Sequence, residues 1–203
     1  MLRKILFILV ISLLITHPLK AQKDYKANVV SSVRPSDSEL CSLAAAQMEE
    51  KYNIKPHLLQ TISSVETGRW DYKTEKFVSW PWTINANGKG KHFKTKEAAV
   101  AEVKRLQEKG ITSIDVGCMQ ISLKYHSDAF ENIEAAFDPE TNVEYSAKFL
   151  KKLYKKRNDW QKAAMAYHSK IPSLGLKYKK KLINRFEKIK LAFLEGPNNI
   201  SLF

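Results

Sequence analysis

The sequence predicts a mainly α-helical single domain with a small β-hairpin insertion. Apolar residues recur at helical spacing over most of the chain, one aromatic and turn-rich stretch interrupts this pattern, and neither a linker nor an internal repeat divides the 203 residues. A chain of this length corresponds to one domain and can bury about 70% of the surface of its unfolded state. Its 44% hydrophobic and 27% charged residues exclude a disordered or low-complexity protein.

Residues 1–21 have the pattern of a cleavable signal peptide. Arg3 and Lys4 precede an apolar run over residues 5–15, and Ala21 fits a cleavage site. The run is too short to cross about 30 Å of hydrocarbon, although a retained N-terminal anchor is the alternative. No cysteine directly follows the run to accept a lipid. We therefore expect a periplasmic or secreted protein, without stable membrane insertion after signal cleavage.

The chain is strongly basic, with a net charge of +13 that falls to +10 when residues 1–21 remove three cations and no acid. Such a surplus favours an anionic neighbour, for example a polymer or a membrane surface. The lysines are spread along helical stretches, however, and this distribution is typical of a solvated surface. Nucleic acid is not an expected partner for an exported protein.

Two helices and a hairpin are predicted in the first part of the domain, which covers residues 36–203 after a flexible polar lead-in over residues 22–35. A capping-box pattern predicts a helix over residues 36–52. Pro56 fits the first position of a second helix. Turn formers between short aromatic and β-branched stretches predict a hairpin within residues 82–93.

The second part of the domain is predicted to be helical. Five helices are expected to begin near Thr95, Asp115, Asp138, Asp159 and Gly175. They are expected to end near Gly110, Tyr125, Tyr154, Tyr167 and Leu194. In this interpretation Asp115 is a helix cap.

The two cysteines, Cys41 and Cys118, are an even pair in a chain with an export signal. Disulfides form in oxidising compartments, so a bridge between them is expected. It would close a long loop and stabilise the folded state by about 4 kcal/mol. Two buried free thiols are the alternative. Two isolated cysteines lack the spacing of metal ligands, so no metal site is predicted.

Glu66 occupies an unusual place in the second helix. It shares the apolar stripe of Leu59 and Ile62, at spacings of seven and four residues. Burial of a carboxyl raises its pKa, so that the group can hold a proton near neutral pH and donate it, as glycosidic cleavage requires. The alternative is a structural glutamate at the helix end, paired with Arg69 or capped by the turn at Gly68.

Three motifs favour the catalytic interpretation. They are Ser-Val-Glu-Thr-Gly-Arg at residues 64–69, Asp-Val-Gly-Cys-Met-Gln-Ile at residues 115–121 and Ala-Tyr-His-Ser at residues 166–169. In this order they resemble the Glu-Ser, Gly-Leu-Met-Gln-Ile and Ala-Tyr-Asn-Ala-Gly motifs of soluble lytic transglycosylases. Residues 113–115 are most similar to specialised members that accompany conjugation and secretion machines, which would be possible partners here.

The resemblance implies a lysozyme-like fold and a cofactor-free reaction on peptidoglycan strands. One glutamate, here Glu66, would act as acid and then base on the β-1,4 bond between MurNAc and GlcNAc. The C6 hydroxyl of the sugar would attack the anomeric carbon and leave a 1,6-anhydro end. Because the nucleophile belongs to the substrate, a second enzyme carboxylate is not required.

The resemblance also implies a set of substrate contacts. Thr67 keeps the hydroxyl of the usual serine, Gln120 would present its amide to the glycan beside Met119, and Tyr167 would hydrogen-bond and orient Glu66. His168 stands where the family has asparagine.

The insertion over residues 70–93 contains three tryptophans, whose flat apolar faces suit sugar rings. Trp82 is expected to form a wall of the glycan groove and to bind long strands. The alternative is that Trp70, Trp80 and Trp82 only cover the helical core.

Two rival functions remain open from the sequence. A hydrolytic muramidase on the same fold would need a second carboxylate to position water, and Asp115 is the first candidate, with Asp71 the other. A non-catalytic cell-wall-binding protein would not need Glu66 at all.

Overall fold

The computed structural model describes residues 34–195, which form seven helices and six short strands. The helices are α1 Asp37–Lys51, α2 Leu58–Thr67, α3 Lys96–Glu108, α4 Ile133–Ala136, α5 Pro139–Arg157, α6 Trp160–His168 and α7 Pro172–Glu195. The strands are β1 Gly68–Asp71, β2 Lys76–Ser79, β3 Thr83–Ala86, β4 Lys89–His92, β5 Ile114–Val116 and β6 Ile121–Ser122. The mainly α fold with a small antiparallel sheet is therefore confirmed. The predicted signal peptide, residues 22–33 of the predicted lead-in and residues 196–203 lie outside the described range.

Four of the helices begin where local capping signals place them. Glu39 accepts hydrogen bonds from the Ser36 backbone N–H and hydroxyl and so closes the capping box of α1. The side chains of Thr95, Asp138 and Asp159 accept N–H groups in the first turns of α3, α5 and α6. Within residues 34–195 no helix is both long enough and apolar enough to cross a membrane.

Helix α2 begins at Leu58, two residues after the predicted start, because its cap comes from another helix. The carboxylate of Glu49, which is buried in α1, accepts the backbone N–H groups of His57 (2.8 Å) and Gln60 (3.0 Å). These are N–H groups that the first helical turn cannot satisfy internally. His57 itself has a positive φ of 64°, so the chain is not yet helical there.

The predicted hairpin is present as β3 and β4, and it belongs to a four-stranded sheet with the order β4-β3-β5-β6. A separate hairpin, β1 with β2, was not predicted. Asp115 is not a helix cap, which corrects that prediction. It lies on β5 between the buried Ile114 and Val116, because the alternation of this segment matches the period of a strand paired with β3.

Two hydrophobic clusters build the interior. The first joins α1, α2, α5, α6 and α7, and the Cys41–Cys118 disulfide lies within it, as predicted. The second joins the sheet to α3 and α4 and is centred on Val103, Ile114 and Phe137. The site described below lies on the first cluster, where α2 meets α7.

Trp82 is a core residue rather than a wall of a groove, which corrects the prediction for this side chain. It is only 7% exposed, packs in the second cluster, and donates its indole N–H to Asp37 (3.2 Å). Trp80 is half-buried, with its N–H on the carbonyl of Phe93, and Trp70 is 39% exposed. Packing of this large side chain in the second cluster stabilises the fold, because it removes apolar surface from water.

Replacing Trp82 with alanine should therefore cost stability. We expect a loss of about 3 kcal/mol in the free energy of unfolding, because the substitution leaves a cavity and an unpaired Asp37. Urea denaturation measures the loss, and Trp70→Ala is the matched control at an exposed position. A Trp82→Ala protein that unfolds at the same urea concentration as the parent would contradict the buried position.

Candidate active site

Glu66 lies in the last turn of α2, with its side chain 17% exposed. Leu59 and Ile62, on the same stripe, are fully buried. The Tyr178 hydroxyl donates a hydrogen bond of 2.7 Å to Glu66 Oε1. Glu66 does not pair with Arg69, which was the structural alternative. The Arg69 guanidinium instead lies 4.1 Å from the centre of the Trp80 ring.

Burial raises the pKa of Glu66 to about 7, and the negative charge of Asp115 acts in the same direction. The hydrogen bond from Tyr178 and the positive charge of Lys181 oppose this shift. Near neutral pH the carboxyl is therefore a mixture of protonated and ionised forms. A group with this pKa can give a proton and take one back.

His168 lies near the same carboxyl oxygen as Tyr178. Its Nδ1 lies 3.9 Å from Glu66 Oε1, and its ring stacks on Tyr178 with the ring centres 4.2 Å apart. Partial burial lowers the pKa of His168, and the charge of Lys181 adds to this effect. The imidazole is thus favoured in its neutral form, and the stack holds the Tyr178 ring beside Glu66.

Tyr178, and not Tyr167, is the tyrosine that contacts Glu66. The Tyr167 hydroxyl donates to the carbonyl of Met119 (2.8 Å) and lies 3.0 Å from Ser146 Oγ. Tyr178 lies in the helix predicted to begin near Gly175, and no role in the site was predicted for it. A buried tyrosine usually has a hydrogen-bond partner for its hydroxyl. A tyrosine at a core-facing position of the last helix was therefore the sequence feature that could have indicated such a contact.

The hydroxyl of Thr67 is not free for substrate, which corrects the prediction for this residue. Thr67 is 1% exposed, and its Oγ1 lies 3.0 Å from the carbonyl of Ser63 and 3.3 Å from that of Cys118. The Ser63 hydroxyl donates to the same Cys118 carbonyl at 3.0 Å. The end of α2 is thereby attached to the segment that carries Met119 and Gln120.

The segment over residues 117–120 is held by one buried amide. Asn142, from α5, accepts the Met119 N–H (2.9 Å) and donates to the carbonyls of Val116 (3.1 Å) and Ala136 (2.9 Å). Gly117 has a φ of 76°, and a Cβ atom there would collide with the Asn142 side chain, so glycine is required. The glycine of the second motif is therefore required by the backbone conformation and by the close approach of Asn142.

The predicted contacts of Met119 and Gln120 are also changed by the fold. Met119 is fully buried and serves as a core residue. The amide nitrogen of Gln120 donates to the carbonyls of Thr83 (3.2 Å) and Gly117 (3.1 Å), so this nitrogen links the motif to β3.

The two other carboxylates proposed from the sequence have different surroundings. Asp71 is the last residue of β1, where hydrogen bonds from the Thr74 side chain and the Lys73 backbone lower its pKa. Asp115 is half-buried on β5, and burial raises its pKa against an opposing hydrogen bond from Ser122. Asp115 is therefore the carboxylate that shares an environment with Glu66. Across the described part of the chain, no group of three or more His, Cys, Asp or Glu residues is placed to hold a metal ion.

One comparison with known proteins identifies a family. The family model of the transglycosylase SLT domain matches residues 44–181, which include Glu66, Gln120, Tyr167 and Tyr178. Searches of curated proteins and of solved structures found no match. Because the match spans more than half of the 203 residues, the chain belongs to the transglycosylase SLT domain family, whose members are lytic transglycosylases acting on peptidoglycan.

Proposed function

We propose that the protein is a lytic transglycosylase in which Glu66 cleaves the β-1,4 bond between MurNAc and GlcNAc. The observation that carries this proposal is the Glu66 carboxyl, whose side chain is only 17% exposed and accepts a 2.7 Å hydrogen bond from Tyr178. Burial raises its pKa to about 7. The resemblance of residues 64–69, 115–121 and 166–169 to the motifs of the family supports the same assignment.

In the first step the protonated Glu66 donates its proton to the glycosidic oxygen while the bond to the anomeric carbon breaks. The acetamido group of the MurNAc sugar supports the positive charge that develops on that carbon. Glu66 is left as a carboxylate, and Tyr178 stabilises it by donating to Oε1. The proton therefore leaves from an oxygen that does not accept this hydrogen bond.

In the second step the Glu66 carboxylate accepts the proton of the C6 hydroxyl. The C6 oxygen attacks the anomeric carbon and closes the 1,6-anhydro ring, and Glu66 returns to its protonated form. No water is consumed and the proton count balances. A pKa near 7 suits both steps, because the same group must be acid and base in one turnover.

The mass of the products tests this proposal. Purified peptidoglycan treated with the protein should yield fragments with anhydro ends, each lighter by one water than a hydrolysed fragment. Products with only reducing ends would refute the transglycosylase reaction. The absence of any cleavage would favour the alternative of a non-catalytic wall-binding protein.

Asp115 favours a second candidate, a hydrolytic muramidase. Its negative charge raises the pKa of Glu66, so the two carboxyl groups interact electrostatically. A carboxylate there could hold the attacking water or support the positive anomeric carbon. Cleavage in H₂¹⁸O separates the two reactions: label in the new end shows hydrolysis, and Asp115→Asn should then abolish it.

Tyr178→Phe should lower turnover about tenfold, because the carboxylate formed after proton donation loses a hydrogen bond to a charged group. It should also raise the pKa of Glu66, since this hydrogen bond lowers it. The alkaline limb of the pH–rate profile would then move to higher pH. Tyr125→Phe, at an exposed tyrosine, is the matched control. An unchanged pH profile in Tyr178→Phe would contradict the role.

The setting of this activity is also a proposal. The signal-peptide pattern of residues 1–21 supports a location in the periplasm or outside the cell. The similarity of residues 113–115 to specialised family members supports a role beside a conjugation or secretion machine. Fractionation of cells that express the full chain, with mass analysis of its N-terminus, tests the export and the cleavage after Ala21.

A further inference from the structure

A basic groove of about 270 Å³ lies between α2, β2 and α7, and the same two helices carry Glu66 and Tyr178. We use the term basic groove for the space lined by Ser64, Val65, Gly68, Phe77, Lys181, Asn184, Arg185 and Lys188. Three of these residues are cations, and none is an acid. They recur on α7 at spacings of four and three residues, so they share one face of the helix.

Arg185 is held in place inside the groove. Its guanidinium carbon lies 3.8 Å from the centre of the Phe77 ring. Gly68 makes room for that ring, because a Cβ atom there would collide with it. The planar guanidinium is therefore oriented before any ligand arrives, which suits the two-pronged recognition of a carboxylate.

Within the described residues, the cations of the groove have no salt-bridge partner. Among residues 34–195, none of the salt bridges includes Lys181, Arg185 or Lys188. Partial burial of Arg185 opposes its charge and lowers its pKa. A half-buried guanidinium without an internal carboxylate is most stable when an external anion pairs with it.

The groove is connected to Glu66 through α7. Tyr178, whose hydroxyl donates to Glu66, and Lys181, which lines the groove, are three residues apart and share one face of α7. The positive charge of Lys181 lowers the pKa of both Glu66 and His168, so this groove residue acts electrostatically on the site. An anion attached to a sugar at the cleavage site can therefore extend into the groove.

We propose that the basic groove binds the carboxylates of the peptide stem carried by the MurNAc unit at the cleaved bond, with Arg185 and Lys188 as specificity-determining residues. The inference rests on the proposed function, because it takes Glu66 as the point where the glycan is cut. The sugar backbone of the substrate carries no carboxylate other than those reached through its lactyl group and stem. A preference for charged stems must therefore come from a site beside the sugar-binding cleft.

The first experiment compares two forms of the same peptidoglycan strands. One form keeps its stem carboxylates, and in the other these are coupled to methylamine, which removes the charges and retains the stems. The parent should cleave the charged form with the higher kcat/KM. In an Arg185→Gln, Lys188→Gln double variant this preference should fall about tenfold. Lys181 is left in place because it acts on Glu66.

Lys190→Gln is the matched control, since Lys190 is exposed on α7 and does not line the groove. It should keep the preference of the parent. Salt should weaken the preference of the parent and the control, and have little effect on the double variant. An equal preference in the parent and the double variant would overturn the inference.

A second measurement keeps the inference separate from the proposed function. Binding of the free stem peptide to the Glu66→Gln protein, followed by NMR, should weaken about tenfold when Arg185 and Lys188 are also changed. If the parent cleaves no strand but this loss is seen, the groove assignment stands and the proposed reaction fails. The groove assignment would be overturned if the two substitutions left the affinity for the peptide unchanged. It would also be overturned if the protein bound anionic phospholipid vesicles and not the peptide.

Discussion

Glu66→Gln is expected to lower turnover on peptidoglycan by a factor of about 10² to 10⁴. The amide matches the carboxyl in shape but is too weak an acid to protonate the glycosidic oxygen. The glutamine oxygen can still accept the Tyr178 hydroxyl, so the fold should be retained. Turnover is measured from the release of soluble fragments, and thermal unfolding reports on the fold. Glu187→Gln, at an exposed position of α7, is the control. A folded Glu66→Gln protein with more than a tenth of the parent's turnover would contradict the assignment.

The same substitution should change how stability depends on pH. The pKa of Glu66 rises from 4.5 to about 7 on folding. Between these values the folded state holds a proton that the unfolded state has lost, so the free energy of unfolding falls as the pH rises. A shift of this size corresponds to on the order of 3 kcal/mol. Glu66→Gln lacks this fall, and it should be more stable than the parent above pH 7 and comparable below pH 4.

Removal of the Cys41–Cys118 disulfide should cost about 4 kcal/mol of stability, because the bridge closes a loop with a sequence separation of 77. Both cysteines are buried, so a Cys41→Ala, Cys118→Ala double variant avoids placing hydroxyl groups in the core. Urea denaturation of the oxidised parent, the reduced parent and the double variant measures the loss. The last two should unfold at similar urea concentrations, well below that of the oxidised parent.

The same variant should also lose activity before it unfolds. Cys118 immediately precedes Met119, and its carbonyl accepts a hydrogen bond from Ser63 in the middle of α2. Release of the bridge loosens the segment next to Glu66, so turnover should fall at temperatures where the protein is still folded. Full turnover and unchanged urea unfolding in the double variant would show that the bridge is not formed in the native protein. Mass spectrometry of the parent without reductant provides the direct check of its thiols.

Features with a local signal could be predicted from the sequence. The capping box at Ser36, the caps at Asp138 and Asp159, and the hairpin at residues 83–92 depend on residues close together in the chain. The position of Glu66 on an apolar stripe and the pairing of the cysteines were also accessible, because each follows from one helix pattern or from an even count. The family match then agrees with the motifs over residues 44–181.

Features that depend on distant contacts could not be predicted. The cap of α2 comes from Glu49 on a neighbouring helix, and β5 exists because it pairs with β3, about thirty residues earlier. Both tyrosines of the site lie on predicted helices, but only the packing of α7 against α2 shows that Tyr178 reaches Glu66. The Trp82 prediction was wrong for a related reason, since its burial depends on the sheet that β5 completes.

The buried amide of Asn142 determines how freely this part of the chain can vary. One side chain satisfies a donor and two acceptors that belong to the backbone on either side of it. Aspartate has no N–H groups for the carbonyls of Val116 and Ala136, and serine is too short to span them. Glutamine would need room for an additional methylene in a site that is 0% exposed. No conservative replacement exists, so position 142 should tolerate almost no variation, although it lies on a different helix from Glu66 and takes no part in the proposed chemistry.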